Sequence, residues 1–120
     1  MSFTDYDIEC IKKAKTSIDA DISKHITIEF LSEKVGIGNT KLKRGFKQLF
    51  EMGLYTYLRM QRMERAAELI VETNKTIKEI AKATGFRYSS NFVSAFKSYH
   101  GMPPGKYKAC SSIKEAGITL

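Results

Sequence analysis

Residues 76–101 read TIKEIAKATGFRYSSNFVSAFKSYHG, and the punctuation of this stretch decides the fold. Thr76 followed three residues later by Glu79 is a capping box, in which the threonine hydroxyl accepts the N3 amide and the carboxylate returns to the cap amide. A helix starting there puts Ile77, Ile80, Ala81 and either Ala83 or Thr84 on its buried side. Gly85 ends it, at a position that calls for the left-handed backbone only glycine adopts cheaply. A second helix is expected from about Ser89 to Tyr99, with Phe92, Ala95, Phe96 and Tyr99 inward. Gly101 closes it, Pro103-Pro104 presets a turn into a short final helix through Tyr107, and the tail from Ser111 is expected to be irregular.

The same pattern occurs earlier as TIEFLSEKVGIGNTKLKRGFKQLF at 27–50. Thr27-Ile28 and Gly36-Ile37 answer Thr76-Ile77 and Gly85-Phe86 at an offset of 49 residues; Leu42 and Phe46-Lys47 answer Phe92 and Phe96-Lys97 at 50. One residue has therefore been inserted after the glycine of the second copy. Each copy spells helix, glycine turn, helix, the order of a helix-turn-helix whose second helix can enter a DNA major groove. In the first copy Ile28, Leu31 and Val35 face inward before Gly36. A helix from Asn39 to Phe50 then turns Leu42, Phe46, Leu49 and Phe50 to the core and Thr40, Lys41, Lys43, Arg44 and Lys47 outward.

Two further helices complete an all-α chain of about seven. One runs from Thr4 to about Ser23 with Ile8, Ile11, Ala14, Ile18 and Ile22 on one face. The other runs from about Leu54 to Thr73, with Leu58, Met63, Ala66, Ala67, Leu69 and Ile70 for packing. At about 1.5 Å per residue the latter is roughly 30 Å long, near the roughly 34 Å between successive major-groove faces, and so is a fitting spacer. The 120 residues are expected to form a single DNA-binding domain: 4–52 as first helix plus first helix-turn-helix, 54–73 as linker helix, 76–110 as second helix-turn-helix plus final helix, 111–120 as tail.

Charge follows the repeat. Residues 1–33 hold seven acids and four bases, net −3, so the remainder carries +10 of a chain whose total is +7. The stretch 34–50 carries Lys34, Lys41, Lys43, Arg44 and Lys47 with no acid, and 80–114 carries Lys82, Arg87, Lys97, Lys106, Lys108 and Lys114 with none. Positive charge concentrated around both copies suits a polyanion, because each neutralised phosphate releases counterions. Cys10 and Cys110 are the only cysteines and are expected to be free thiols. No apolar run reaches the roughly 18 residues a membrane span needs, and the expected compartment is the cytoplasm. His25 and His100 lie in unrelated contexts and build no metal site; no nucleophile motif surrounds either cysteine, so neither cofactor nor enzymatic activity is expected.

Gly85-Phe86, Phe92, Phe96-Lys97, Gly101, Pro104 and Tyr107 resemble the signature of the arabinose-operon-activator family (AraC/XylS type) of bacterial transcription regulators, and Tyr57-Leu58, Arg62-Met63, Ala66 and Leu69 resemble its linker helix. The resemblance covers Ile8 to Tyr107. It implies two helix-turn-helix subdomains joined by a rigid helix, binding an asymmetric operator of double-stranded DNA across two adjacent major-groove segments. Carried over by position, it places base and backbone contacts on Thr40, Lys43, Arg44 and Lys47 and on Ser89, Ser90, Asn91 and Ser94; Asn39, Lys41, Arg87 and Lys97 complete the expected DNA-binding set. Arg44 suits a bidentate pair with guanine, worth about 1–3 kcal/mol of discrimination, and Asn91 suits adenine. Lys43 and Lys47 suit phosphate.

Two departures stand out. Glu51 occupies a position where many members have glycine, so the turn is expected to shift to Gly53; Ser94 stands where arginine is common, so the second copy is expected to read DNA more weakly. The resemblance also implies activation through RNA polymerase. The domain itself is expected to be monomeric, and the chain is read either as a free-standing two-subdomain regulator or, the favoured reading, as the C-terminal part of a longer one whose effector or dimerisation domain lies outside it. The competing readings are a basic protein-interaction module and an architectural DNA binder without sequence preference. Phe86, Phe92, Phe96, Tyr57 and Tyr107 are expected in the core rather than on bases, and Arg62 in a structural role.

Overall fold

The computed structural model describes residues 2–115, with side chains described through Ser111. Seven helices and no strand occur among the described residues: α1 (Asp5–Ala20), α2 (Ile28–Val35), α3 (Asn39–Phe50), α4 (Leu54–Glu72), α5 (Ile77–Ala83), α6 (Ser89–His100) and α7 (Pro104–Glu115). The chain divides into two compact units, Met1–Gln61 and Arg62–Leu120, with the break inside α4.

In the first unit, α1 begins at a capping box: Thr4 Oγ1 accepts the Asp7 amide, and Asp7 accepts the Thr4 amide. The helix stops at Ala20, short of the expected Ser23, because Asp21 takes an extended backbone and its carboxylate turns to the Ser23 amide. Ile22 thus leaves the helix but still packs on the core of Ile11, Ala14, Ile18, Leu31, Leu42 and Phe46, all fully buried. Thr27 caps α2, whose Ile28 amide also donates to the Tyr55 hydroxyl at 3.0 Å. At the α1–α3 contact a Cβ on Gly45 would lie 2.2 Å from Ile11 Cδ1, so the two helices meet where there is no side chain. Leu54, Tyr57 and Leu58 of α4 close this core.

The end of α3 differs from expectation in two ways. Leu49 is exposed rather than inward; Phe50 closes that end instead, its ring edge-on to Phe46 at 4.8 Å. The turn does not shift to Gly53: Glu51 itself adopts the left-handed backbone, φ 63° and ψ 13°, as the cap of α3. A full glutamate side chain therefore sits where even a Cβ is sterically disfavoured.

The second unit repeats the plan around Met63, Ala66, Ile80, Phe92 and Phe96. The Thr76–Glu79 capping box forms as expected. Thr84, not Ala83, is the buried member of the α5 stripe, its hydroxyl donating to the Ile80 carbonyl at 2.8 Å. Phe86 and Tyr107 pack on this core half-buried, with Phe86 on Phe92 at 5.6 Å and Tyr107 on Phe96 at 5.4 Å. Helix α6 runs one residue past Tyr99, which is exposed, to His100, whose ring lies against Phe96 and Tyr107 and whose Nε2 donates to the Met63 carbonyl at 2.9 Å. The half-buried guanidinium of Arg62 lies over the Phe86 ring and beside Gly85, and burial pulls its pKa down from its usual value. Helix α7 continues well beyond Tyr107, so 111–115, expected as tail, is helical; 116–120 lies outside the described residues.

Candidate nucleic-acid interface

The outward face of α3 follows from helical spacing. Thr40, Lys43, Arg44 and Lys47 recur at i, i+3, i+4 and i+7, so they stand on one side, opposite Leu42 and Phe46. All four are exposed, and the helix has no acid in its first turn. Two expected members of this face are engaged elsewhere. Lys41 Nζ lies 3.1 Å from Oδ2 of Asp7, a carboxylate that is 3% exposed as a residue. The Thr4 amide, and then the Lys41 ammonium, hold Asp7 below the ordinary carboxylate range. Asn39 uses its Oδ1 to accept the Ser32 hydroxyl of α2, which braces the start of α3.

On α6, Ser90, Asn91, Ser94 and Lys97 are exposed along one side at i, i+1, i+4 and i+7, and Ser89 is half-buried at the helix start. Arg87 lies in the preceding turn, its guanidinium over the Tyr88 ring at 5.6 Å. Apart from Lys97, Asn91 is the longest side chain on this face; the others are hydroxyls.

The two outward-facing helices also begin alike. Gly38 and Tyr88 occupy the caps of α3 and α6 and give no side-chain hydrogen bond, whereas threonines cap α1, α2 and α5. A helix start without a carboxylate keeps its partial positive charge available to an anion. A cleft of about 430 Å³ opens beside the start of α6, lined by Lys78, Ala81, Lys82, Phe86, Arg87, Tyr88 and Ser89. Lys78 and Lys82 were not among the expected residues, because the family resemblance points to the second helix of each copy. Their i, i+4 spacing on α5 was the available signal.

No group of three or more histidine, cysteine or acidic side chains that could hold a metal occurs among the described residues, and no described helix is long and apolar enough to cross a membrane. Cys10 and Cys110 are both free.

A helix-turn-helix domain family matches residues 31–109. Multiple antibiotic resistance protein MarA of Escherichia coli K12 is 30% identical over 91 residues, covering 76% of this chain and 72% of MarA. A putative AraC-like transcription regulator of Streptomyces lividans is 32% identical over 98 residues, 82% of this chain but 32% of that longer protein. The fold is shared with the DNA-binding domain of AdpA, solved in complex with a target DNA, at a TM-score of 0.81 and 19% identity over 87% of this chain and 94% of that one. With the doubled helix-turn-helix and its linker helix in place, the chain belongs to the AraC-type helix-turn-helix family of DNA-binding transcription regulators.

Proposed function

We propose that the chain recognises an asymmetric double-stranded operator, with α3 supplying most of the sequence readout and α6 a more permissive contact. The observation that carries this is the contrast between the two outward faces: Thr40, Lys43, Arg44 and Lys47 on one, and Ser90, Asn91, Ser94 and the single cation Lys97 on the other, all exposed. A guanidinium reaches a guanine edge and bonds it twice, while a serine hydroxyl is short and pairs with either a donor or an acceptor. In this reading Arg44 specifies guanine, Asn91 specifies adenine, and Lys43, Lys47 and Lys97 bond phosphates and set the register. Lys41 and Asn39 act indirectly, by fixing the angle and start of α3 through Asp7 and Ser32.

The same reading places the protein with the chromosome in a bacterial cytoplasm. It also makes the protein an activator working through RNA polymerase, with this domain binding as a monomer; family membership supports both. Selection of bound duplexes from a random pool, followed by titration of the winner against random DNA at physiological salt, tests it. A preference of about a thousandfold or more is expected of a regulator, and a ratio near one would instead make the chain an architectural binder.

A further inference from the structure

The internal repeat also pairs positions that never line a core. At the offset of 49 residues, Lys78 and Lys82 of α5 correspond to Glu29 and Glu33 of α2. All four are exposed and stand at i, i+4 on the first helix of their helix-turn-helix, yet the sign is inverted. The second helices show the opposite trend: at the offset of 50, Lys43 and Arg44 of α3 are answered by Val93 and Ser94 of α6, while Lys47 keeps its charge in Lys97. Within the first helix-turn-helix the cations gather on the second helix, and in the second copy two of them, Lys78 and Lys82, stand on the first.

The charge on α5 has a shaped surface beside it. Lys78 and Lys82 share the cleft with Arg87, so three cations converge on it, and Ala81, Phe86 and Tyr88 give it an apolar wall. The Arg87 guanidinium is stacked on Tyr88, which limits its freedom. Neither Lys78 nor Lys82 makes an ion pair among the described residues; the neighbouring Glu79 carboxylate accepts the Thr76 amide at 3.0 Å. Ser89, the first residue of α6, lies at the cleft's edge.

We propose that Lys78 and Lys82, with Arg87, form a clamp for the deoxyribose-phosphate backbone, so that the second unit grips DNA through α5 and the turn in addition to the outward face of α6. The cations take successive phosphates and the apolar wall takes the sugar. This rests on the reading of the protein as a DNA binder given above. It explains how a unit with few long side chains on α6 still holds the duplex: the clamp adds affinity without sequence preference.

Binding of the selected operator and of random duplex is measured as a function of salt for the wild type, Lys78→Gln/Lys82→Gln, and a control, Lys12→Gln/Lys13→Gln, which removes the same net charge from α1. Each lost phosphate contact lowers the slope of log affinity against log salt by about 0.9, so the α5 variant should lose about 1.8 from the slope and about tenfold to a hundredfold in affinity near 0.1 M salt. Both duplexes should weaken alike, leaving the specificity ratio unchanged, and the control should keep its slope. Lys78→Glu/Lys82→Glu, which copies the first unit, should weaken binding further. An unchanged slope in the glutamine variant overturns the clamp, as does a loss confined to the operator, which would mean that the lysines read bases. If the wild type shows no salt-dependent binding to either duplex, the underlying DNA-binding reading fails first. Coinciding thermal transitions of variant and wild type establish that the exposed substitutions leave the fold intact.

Discussion

Phe46 and Phe96 occupy corresponding positions in the two helix-turn-helix units, and both are fully buried; Gly36 and Gly85 turn the chain after the first helix of each pair, with φ of 85° and 88°. Outside those cores the copies part company. Glu51 is answered by Gly101, Glu29 and Glu33 by Lys78 and Lys82, and Lys43 and Arg44 of α3 by Val93 and Ser94 of α6. The difference teaches where the constraint lies. Packing and turn geometry admit few residue types, since an interior at crystal-like density feels each methylene, whereas an exposed position is free to follow whatever it touches.

The largest test of that comparison is made in the cores. Phe46→Ala and Phe96→Ala should each destabilise their own unit by about 3–5 kcal/mol, measured by denaturant unfolding with hydrogen exchange to locate the loss. If one substitution is absorbed at under about 1 kcal/mol, the units are not equivalent scaffolds.

Next comes the outward face. Arg44→Ala should cost about 1–3 kcal/mol of operator affinity and relax preference at one base pair, while Ser90→Ala should cost less. Titration of both variants against the selected duplex decides the order, and equal losses would remove the ranking of the two helices.

A smaller effect separates the two helix ends. Glu51 and Gly101 cap α3 and α6 in the same left-handed conformation, φ 63° and 81°. Glu51→Gly should raise stability by about 1 kcal/mol by relieving the Cβ clash, and Gly101→Ala should lower it by a similar amount. A neutral Glu51→Gly in thermal unfolding would show that the glutamate is held there by something other than tolerance of strain.

The gentlest contrast is in acid. Asp7 and Glu79 close the capping boxes of α1 and α5, and hydrogen bonds to the amides of Thr4 and Thr76 hold both below their usual pKa. A carboxylate with a depressed folded pKa contributes stability that is fully present above its unfolded value, about 4, and is lost as pH falls through the folded value. Asp7 is buried and also paired with Lys41, so Asp7→Asn should flatten the acid limb of the stability curve more than Glu79→Gln does. A steeper limb after Asp7→Asn would reverse the sign of this assignment.

Helix existence and order were legible because caps, glycines and the apolar period all agree, as they do over Thr27–Gly36 and Thr76–Gly85. What escaped was set by contacts between elements. Gly45 offers no apolar signal, yet it is buried where α1 meets α3. His100 reads as a helix-end residue, and only the fold brings Phe96, Tyr107 and the Met63 carbonyl around it. Lys41 has the spacing of an outward cation, but Asp7, 34 residues earlier, holds it. Glu51 shows the limit of turn rules: the backbone conformation was demanded by the fold, and the chain met it without the preferred residue. The twelve expected DNA-contacting residues lie on or beside α3 and α6, but their division into base readers, phosphate contacts and braces depends on partners that no spacing rule reveals.

Gly36 has a consequence for what substitutions this protein can tolerate. It is exposed, the usual mark of a permissive site, yet its backbone is left-handed and a Cβ there would lie 2.8 Å from the Tyr6 hydroxyl, which donates to the Gly36 carbonyl. Gly85 is under the same double restriction, since a Cβ there would lie 2.7 Å from the Arg62 guanidinium. In a library randomised at every position, these two should tolerate fewer replacements than most buried residues. Solvent accessibility alone would rank them wrongly.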